Sequence, residues 1–318
     1  PVGYCLYQFI EQIKKHNFEI ILYYNNIENR PDNPVTQKLE QDADQLKNVQ
    51  ALNDKELAQT IFNDEIDILI DLSGFTLGER LGVLKYKPAP IQVEWLGYPG
   101  TTGMEEIDFI IGNSYIIKDG EEKFYTEKVY KTEGINSLVD LSEIPKSSTE
   151  IPYQKNGYIS FGVTNTIHKI LPENLAAWAK ILKHVEGSKI IMDSRDMRSD
   201  CTRDHYLKEF AKHGINEERI EIRSTDERMD FITKYDDYDL SLDTFPYTGS
   251  TTTVESLAMG VPLVTLEGQL VSGRLSSSVL NAIGCTELIS YSIEEYVEKN
   301  IELANNPERI AEYKNKLG

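Results

Sequence analysis

The stretch Leu240-Ser-Leu-Asp-Thr-Phe-Pro-Tyr-Thr-Gly-Ser-Thr-Thr-Thr-Val-Glu-Ser-Leu-Ala-Met-Gly-Val-Pro-Leu-Val-Thr265 decides the reading of this chain. Its pattern predicts a buried strand at 240–242, a polar turn around Gly249, a helix over 251–259 and a second strand at 263–266. The turn stacks Gly249, Ser250, Thr251, Thr252 and Thr253 at the mouth of that helix. A helix N-terminus offers unpaired N–H groups and the positive end of the macrodipole, so it attracts phosphate. Hydroxyls add donors, and Gly249 lets the backbone come close to a ligand. Glu255, about one turn into the helix, is placed to accept hydrogen bonds from a ribose. An ordinary Ser/Thr N-cap in any α/β protein leaves a similar trace.

Working outward, the first half alternates strands at 18–24, 66–72, 91–96, 109–111 and 128–130 with helices at 3–16, 57–62 and 77–86. The last of these helices is closed by Pro88 and Pro90. Repeated β-α-β units imply a parallel sheet covered on both faces. The pattern breaks over 138–155, around Ile144-Pro-Lys-Ser-Ser-Thr149, which reads as a linker between domains 1–150 and 151–318. A second set follows, with strands at 158–163, 189–192 and 220–222 and helices at 172–185, 202–212 and 228–235. The opening stretch comes next, then closing helices at 273–283, 293–304 and 307–317. Periodicity alone supports a two-domain α/β protein with ligands at the carboxyl ends of its strands.

Composition narrows the classes. A chain of 318 residues, 40% hydrophobic, can bury two domain cores. Cys5, Cys201 and Cys285 are isolated and show no paired Cys/His spacing, so neither a zinc site nor a disulfide framework is expected, and a reducing cytoplasm fits. No apolar run approaches the roughly 18–20 residues that cross a bilayer. The formal charge of −19 repels nucleic acid and anionic membrane surfaces, so neither is an expected partner. A phosphate-bearing ligand must then be held by local donors.

The opening stretch closely resembles the nucleotide-binding segment of the O-linked N-acetylglucosamine transferase and SPINDLY family of glycosyltransferases. A second segment agrees: Ile66-Asp-Ile-Leu-Ile-Asp-Leu-Ser-Gly-Phe-Thr76, then Lys87-Pro-Ala-Pro-Ile-Gln-Val-Glu-Trp-Leu-Gly-Tyr-Pro-Gly-Thr-Thr-Gly103. The Pro-Ala-Pro-Ile-Gln and Trp-Leu-Gly-Tyr-Pro-Gly-Thr runs are highly specific to it. Weaker matches lie at 161–172 and 268–280, and together they cover nearly the whole chain. The resemblance implies a GT-B α/β fold, two Rossmann-like halves facing a cleft, with the acceptor and sugar on the 1–150 side and the nucleotide sugar on the 151–318 side. It implies an inverting, metal-independent transferase moving N-acetylglucosamine from UDP-GlcNAc to Ser or Thr of a protein acceptor, with no cofactor. GDP-fucose as donor, glucosylation of asparagine, and a non-catalytic sugar-nucleotide-binding module remain the alternatives. In the family this region usually follows tetratricopeptide repeats and an Asp-Phe-x-x-His stretch. The start at Pro1 therefore reads as that of a fragment.

The same resemblance supplies roles. Lys169, in Asn165-Thr-Ile-His-Lys169, stands where the family places a lysine on the diphosphate. A lysine at a strand-to-helix junction acts there as a point charge on the leaving group. The plain alternative is a surface lysine, and His168 beside it reads as structural or exposed. Asn165 is assigned to the nucleotide pocket, and Arg228 falls where the family has a basic residue beside the uracil. Arg274, in Ser272-Gly-Arg-Leu-Ser-Ser-Ser278, either contacts phosphate or locks its helix onto the nucleotide loop. Leu96 and Gly97, with Tyr98, Pro99 and Gly100, form a backbone-lined wall facing the sugar. Three positions depart from the family: Phe75 replaces a usual His or Tyr, Phe231 a usual His, and Ser250 the His of the animal enzymes. Imidazole is thus scarce, and the sequence names no general base. A side chain upstream of Pro1, the substrate's phosphate and a water chain all remain open.

Overall fold

The short aliphatic runs of this chain are flanked by helices on each side, the setting in which strands pair in parallel. In the computed structural model, which describes residues 2–25, 34–134, 141 and 144–317, every strand pairing is parallel. The chain divides into two compact units, residues 1–140 and 141–318.

The first unit contains α1 (Val2–Lys14), β1 (Ile21–Tyr24), α2 (Pro34–Asp42), β2 (Gln45–Asn48), α3 (Asp54–Asn63) and β3 (Ile68–Asp71). Then come α4 (Leu81–Leu84), β4 (Ile91–Glu94), β5 (Phe109–Asn113) and β6 (Lys128–Thr132). Strands β1 and β2 pair with each other, and β3-β4-β5-β6 form a four-stranded sheet. Helix α3 starts at a capping box: Asn53 Oδ1 accepts from Glu56 N at 3.0 Å and Glu56 Oε2 from Asn53 N at 2.9 Å. The helix expected over 77–86 is reduced to α4. Gly78 sits at φ +83°, and the Arg80 side chain reaches back to Asp54 Oδ1 and Leu52 O, both at 2.8 Å, so the chain turns before it coils. Residues 34–48, which form α2 and β2, are mostly polar. Their few apolar residues, Val35, Leu39 and Leu46, join Leu6, Tyr7, Ile10 and Trp95 in one core.

The second unit contains α5 (Pro152–Asn156), β7 (Ser160–Val163), α6 (Pro172–His184), β8 (Lys189–Asp193), α7 (Asp200–Lys212), β9 (Ile220–Arg223) and α8 (Arg228–Thr233). It continues with β10 (Leu240–Leu242), α9 (Thr251–Ala258), β11 (Leu263–Leu266), α10 (Leu275–Ala282), β12 (Ile289–Ser290), α11 (Ile293–Ala304) and α12 (Pro307–Leu317). The sheet order is β12-β11-β10-β7-β8-β9. The chain winds one way from β7 to β9, then crosses back to lay β10 on the other side of β7. This is the doubly wound order of nucleotide-binding folds, with its switch point between β7 and β10. Trp178 of α6 is fully buried and donates from Nε1 to the Tyr296 hydroxyl at 3.2 Å, tying α6 to α11.

The division at 140/141 falls before the expected linker ends. Ser148 N donates to Asp236 at 3.0 Å and Tyr153 N to Asp239 at 2.8 Å, so these residues are bound to the second unit. Of the linker expected over 138–155, residues 138–140, 142 and 143 lie outside the described residues. Among the described residues no helix is long and apolar enough to cross a membrane.

Candidate functional site

The switch point of the second unit's sheet gathers Asn165, Lys169 and the 249–253 run that the sequence singled out. The segment after β7 carries Asn165 and the 3-10 helix Ile167–Lys169, and the segment after β10 carries the 243–250 loop and the start of α9. Lys169 Nζ donates to the carbonyl of Thr248 at 2.7 Å and lies 3.9 Å from the centroid of the Tyr247 ring. Burial pulls its ammonium down to about 8, with the charge of Asp243 opposing. His168 is exposed. Thr252 Oγ1 donates to Asn165 Oδ1 at 3.3 Å, which joins the two segments directly. The first α-helical bond of α9 runs from Val254 N to Ser250 O at 3.1 Å. The amides of residues 251–253 precede it and form the helix's donor end. Ser250 makes no side-chain cap, so the loop is shaped by something else.

That something is Asp243, which the sequence reading passed over. It is only 2% exposed, and its carboxylate accepts from Thr244 N at 2.9 Å, Gly249 N at 2.8 Å and Thr265 Oγ1 at 2.7 Å. Asn165 Nδ2 adds a longer contact at 3.4 Å. Burial raises its carboxyl above the ordinary range, while hydrogen bonding with Ser276, Thr265 and the Gly249 amide and the charge of Lys169 hold it back. The loop is thus folded around one buried charge. A Cβ on Gly249 would crowd Thr253 Oγ1 and stand 3.0 Å from Thr252 Oγ1, so any side chain there would push these hydroxyls aside. On the far side, Ser276 Oγ meets Thr253 Oγ1 at 2.7 Å and donates to Gly249 O at 3.1 Å, docking α10 onto the loop. An acidic residue directly after an apolar strand was the available signal.

Three other expected ligand residues are engaged within the protein. Glu255 is 2% exposed and its Oε1 accepts from Arg228 Nη1 at 2.6 Å. Burial raises its carboxyl, and the Arg228 charge opposes that rise. Arg228 and Glu255 therefore come together as a pair that braces α8 against α9. Arg274 is buried, donating from Nε to Gly268 O at 3.2 Å and from Nη2 to Gln269 O. Of its two expected actions, this geometry serves the locking of α10 to the neighbouring turn. Phe231 packs edge-on against Tyr235, at 5.9 Å between centroids.

Leu96 and Gly97 belong to the first unit, beyond the carboxyl end of β4. Gly97 N donates to Trp95 O at 3.0 Å, a γ-turn that places Leu96 at φ +78°. Such a turn is strained for a side chain branched beyond Cβ. A Cβ on Gly97 would lie 2.7 Å from Ser73 O and nearer still to Leu72 O, so this turn is pressed against the loop after β3. Gln92, from the Pro-Ala-Pro-Ile-Gln run, is fully buried and donates to Leu84 O at 3.0 Å and Glu106 O at 2.8 Å. That motif buttresses the sheet. Phe75 is 57% exposed and meets the Tyr98 ring edge-on at 6.0 Å.

The chain matches the family model described as Glycosyl transferase family 41 over residues 4–134 and 143–318. It is 31% identical over 306 residues to a protein of Solanum lycopersicum named probable UDP-N-acetylglucosamine--peptide N-acetylglucosaminyltransferase SPINDLY, with 94% of this chain and 33% of that one aligned. The Oryza sativa protein of the same name is 34% identical over 274 residues, covering 85% of this chain and 29% of that one. The chain thus spans about a third of the length of these curated relatives. A solved structure of a Thermobaculum terrenum O-GlcNAc transferase mutant superposes with a TM-score of 0.89 at 33% identity, covering 100% of this chain and 60% of that one. The fold is GT-B. The chain belongs to glycosyl transferase family 41.

Proposed function

We propose that this chain carries the catalytic region of an inverting, metal-independent transferase that moves N-acetylglucosamine from UDP-GlcNAc to Ser or Thr of proteins. The observation that carries the reading is the convergence of Lys169, Asn165 and the donor end of α9 on one loop at the switch point of the second sheet. The names of the relatives, which specify UDP-N-acetylglucosamine and a peptide, support the donor and the acceptor class. In this reading the second unit binds the nucleotide sugar, and Leu96 and Gly97 of the first line the sugar.

The acceptor hydroxyl oxygen attacks C1 of the sugar from the face opposite UDP, and its proton passes to a base, for which a side chain upstream of Pro1, the donor's own phosphate and a water chain are the options. The C1–O bond to the β-phosphate breaks, and its electron pair leaves with UDP. Lys169 and the amides of residues 251–253 neutralise the charge that develops on the diphosphate, which is electrostatic stabilisation by preorganised donors. Lys169 is already held at the loop by Thr248 O and Tyr247, so little reorganisation accompanies the reaction. Asp243 holds the loop but faces the backbone of Gly249 and Thr244, and its role is to shape the site.

Incubating the purified protein and a cell lysate with labelled UDP-GlcNAc, GDP-fucose and UDP-glucose in separate reactions tests this. Label should pass to protein hydroxyls from UDP-GlcNAc alone. Transfer from GDP-fucose or UDP-glucose would overturn the donor. Saturable UDP binding with no transfer by the full-length gene product would leave a sugar-nucleotide-binding module.

A further inference from the structure

At the carboxyl end of the first sheet lies a buried acid that no step above uses. Glu94, the last residue of β4, is 0% exposed, and neither of its carboxyl oxygens receives a hydrogen bond from a donor. Its partner in the strand register is Asp71, the last residue of β3. Asp71 Oδ2 accepts from Gly74 N at 2.7 Å and Ser73 N at 3.3 Å, so it shapes the loop after β3. Gly74, at φ +51°, leaves room for Glu94 at that loop: a Cβ there would stand 2.9 Å from Glu94 Oε1 and 2.8 Å from Tyr98 Cβ. An ionised carboxylate in this position would be a buried charge with no donor, which proteins avoid. Two adjacent carboxyl groups can hydrogen-bond each other only if one keeps its proton.

We propose that Glu94 is a positioning residue: it keeps its proton, donates it in a hydrogen bond to Asp71, and so locks together the loops that follow β3 and β4.

The contacts around it describe what is locked. The β3 loop carries Ser73, Gly74 and Phe75, and the β4 loop carries the Leu96 turn, Gly97 and Tyr98. Gly97 rests on the carbonyls of Leu72 and Ser73, and Phe75 rests on Tyr98. The charged groups facing Glu94 are acidic. Asp71 stands on β3, and Glu127, just before β6, accepts from Thr101 Oγ1 and Thr102 N, both at 2.7 Å. On β5 the register neighbour is Ile110, which is uncharged. Burial, then the charge of Asp71, its hydrogen bond and the charge of Glu127 push the Glu94 carboxyl up to about 10. A negative charge on Glu94 would face both Asp71 and Glu127, and the two loops would part. Under the proposed function, to which this consequence belongs, the parted loops are those that line the sugar.

The test compares Glu94→Gln, which keeps a donor and cannot ionise, with Glu94→Met, which keeps the size and loses the donor. In the intact protein near neutral pH, the wild type should show the infrared carbonyl band of a protonated carboxyl. Glu94→Gln should lack that component, and its presence unchanged in Glu94→Gln would overturn the proposal. The folded-state value lies above the ordinary one. The stabilising contribution of Glu94 is therefore complete below about pH 4.5 and is lost as pH rises through about pH 10. The melting temperature of Glu94→Gln should accordingly gain on the wild type between about pH 6 and about pH 9, and parallel profiles would overturn the proposal. If UDP-GlcNAc transfer is found, Glu94→Met should lose about 10–100-fold in kcat/KM and Glu94→Gln should retain it. Equal activity of the two variants would overturn the positioning role. If no sugar is transferred at all, the functional reading falls, and the infrared and melting comparisons still decide the proposal.

Discussion

The carboxyl ends of the two larger parallel sheets carry opposite chemistry. At the β7/β10 end every buried acid discussed has donors: Asp243 holds three at 2.7–2.9 Å, and Glu255 holds Arg228. Lys169 and the first amides of α9 then add positive charge at the loop. At the β3/β4 end the buried acid Glu94 has no donor, and its charged neighbours Asp71 and Glu127 are acidic. Under the proposed function a phosphate is held at the first end, and the acids of the second would repel one. The lesson is that a parallel sheet only places loops at one edge. The charge balance of those loops decides which ligand each edge can take.

The sharpest way to break this contrast is Lys169→Met. Losing one preorganised charge at a leaving phosphate should lower kcat by roughly 10²–10³-fold, about 2.7–4 kcal/mol. The ammonium is pulled down to about 8, so wild-type kcat/KM should fall as pH rises through that value. The fold should survive, because folding disfavours this buried charge below about pH 8 and its removal relieves that penalty. Unchanged transfer by a folded Lys169→Met protein would end the assignment of a phosphate to this edge.

Asp243→Asn addresses whether the donor-rich edge is organised by its buried acid. Asn would set an NH2 group against the donors that Asp243 now satisfies. We expect a loss of about 1–3 kcal/mol in urea denaturation together with weaker UDP binding by calorimetry. Full UDP affinity would show that the loop is shaped without Asp243.

The two glycine turns sharpen the comparison further. Gly97→Ala drives a Cβ into the Leu72 and Ser73 carbonyls, which are backbone and cannot turn away. It should cost about 1–3 kcal/mol. Gly249→Ala meets the hydroxyls of Thr252 and Thr253, which can rotate, and should cost less. Thermal melts of the two variants compare them directly, and the reverse order would mean that the γ-turn at Leu96 is softer than its packing implies. The smallest effect belongs to Phe75→Ala. The ring is mostly exposed, and stability should change by about 0.5 kcal/mol or less. A larger drop in the melting temperature would place Phe75 in the core of the loop packing.

The apolar periods of this chain determined its strands, and in the second unit helix and strand extents follow them closely: β10, β11, α11 and α12 stand where the pattern puts them. Burial on both faces of a parallel strand leaves a continuous aliphatic run, and such runs are legible without any tertiary knowledge. The glycine and hydroxyl run at 249–253 was equally legible, because a helix mouth is a local structure. Helix α2 and strand β2 were not, since their few apolar residues count only once they meet α1 and Trp95. The helix at 77–86 shrank because Arg80 turns back to Asp54, a contact across 26 residues that no local pattern encodes. The same limit governed the site. Residue type alone could not show which protein groups Arg274 and Glu255 would meet. The fold buried Arg274 against two backbone carbonyls and handed Glu255 to Arg228. Asp243 and Glu94 look alike in sequence, each an acid at the end of an apolar strand. Tertiary structure alone surrounded one with donors and the other with acids, because a buried charge is defined by its neighbours in space.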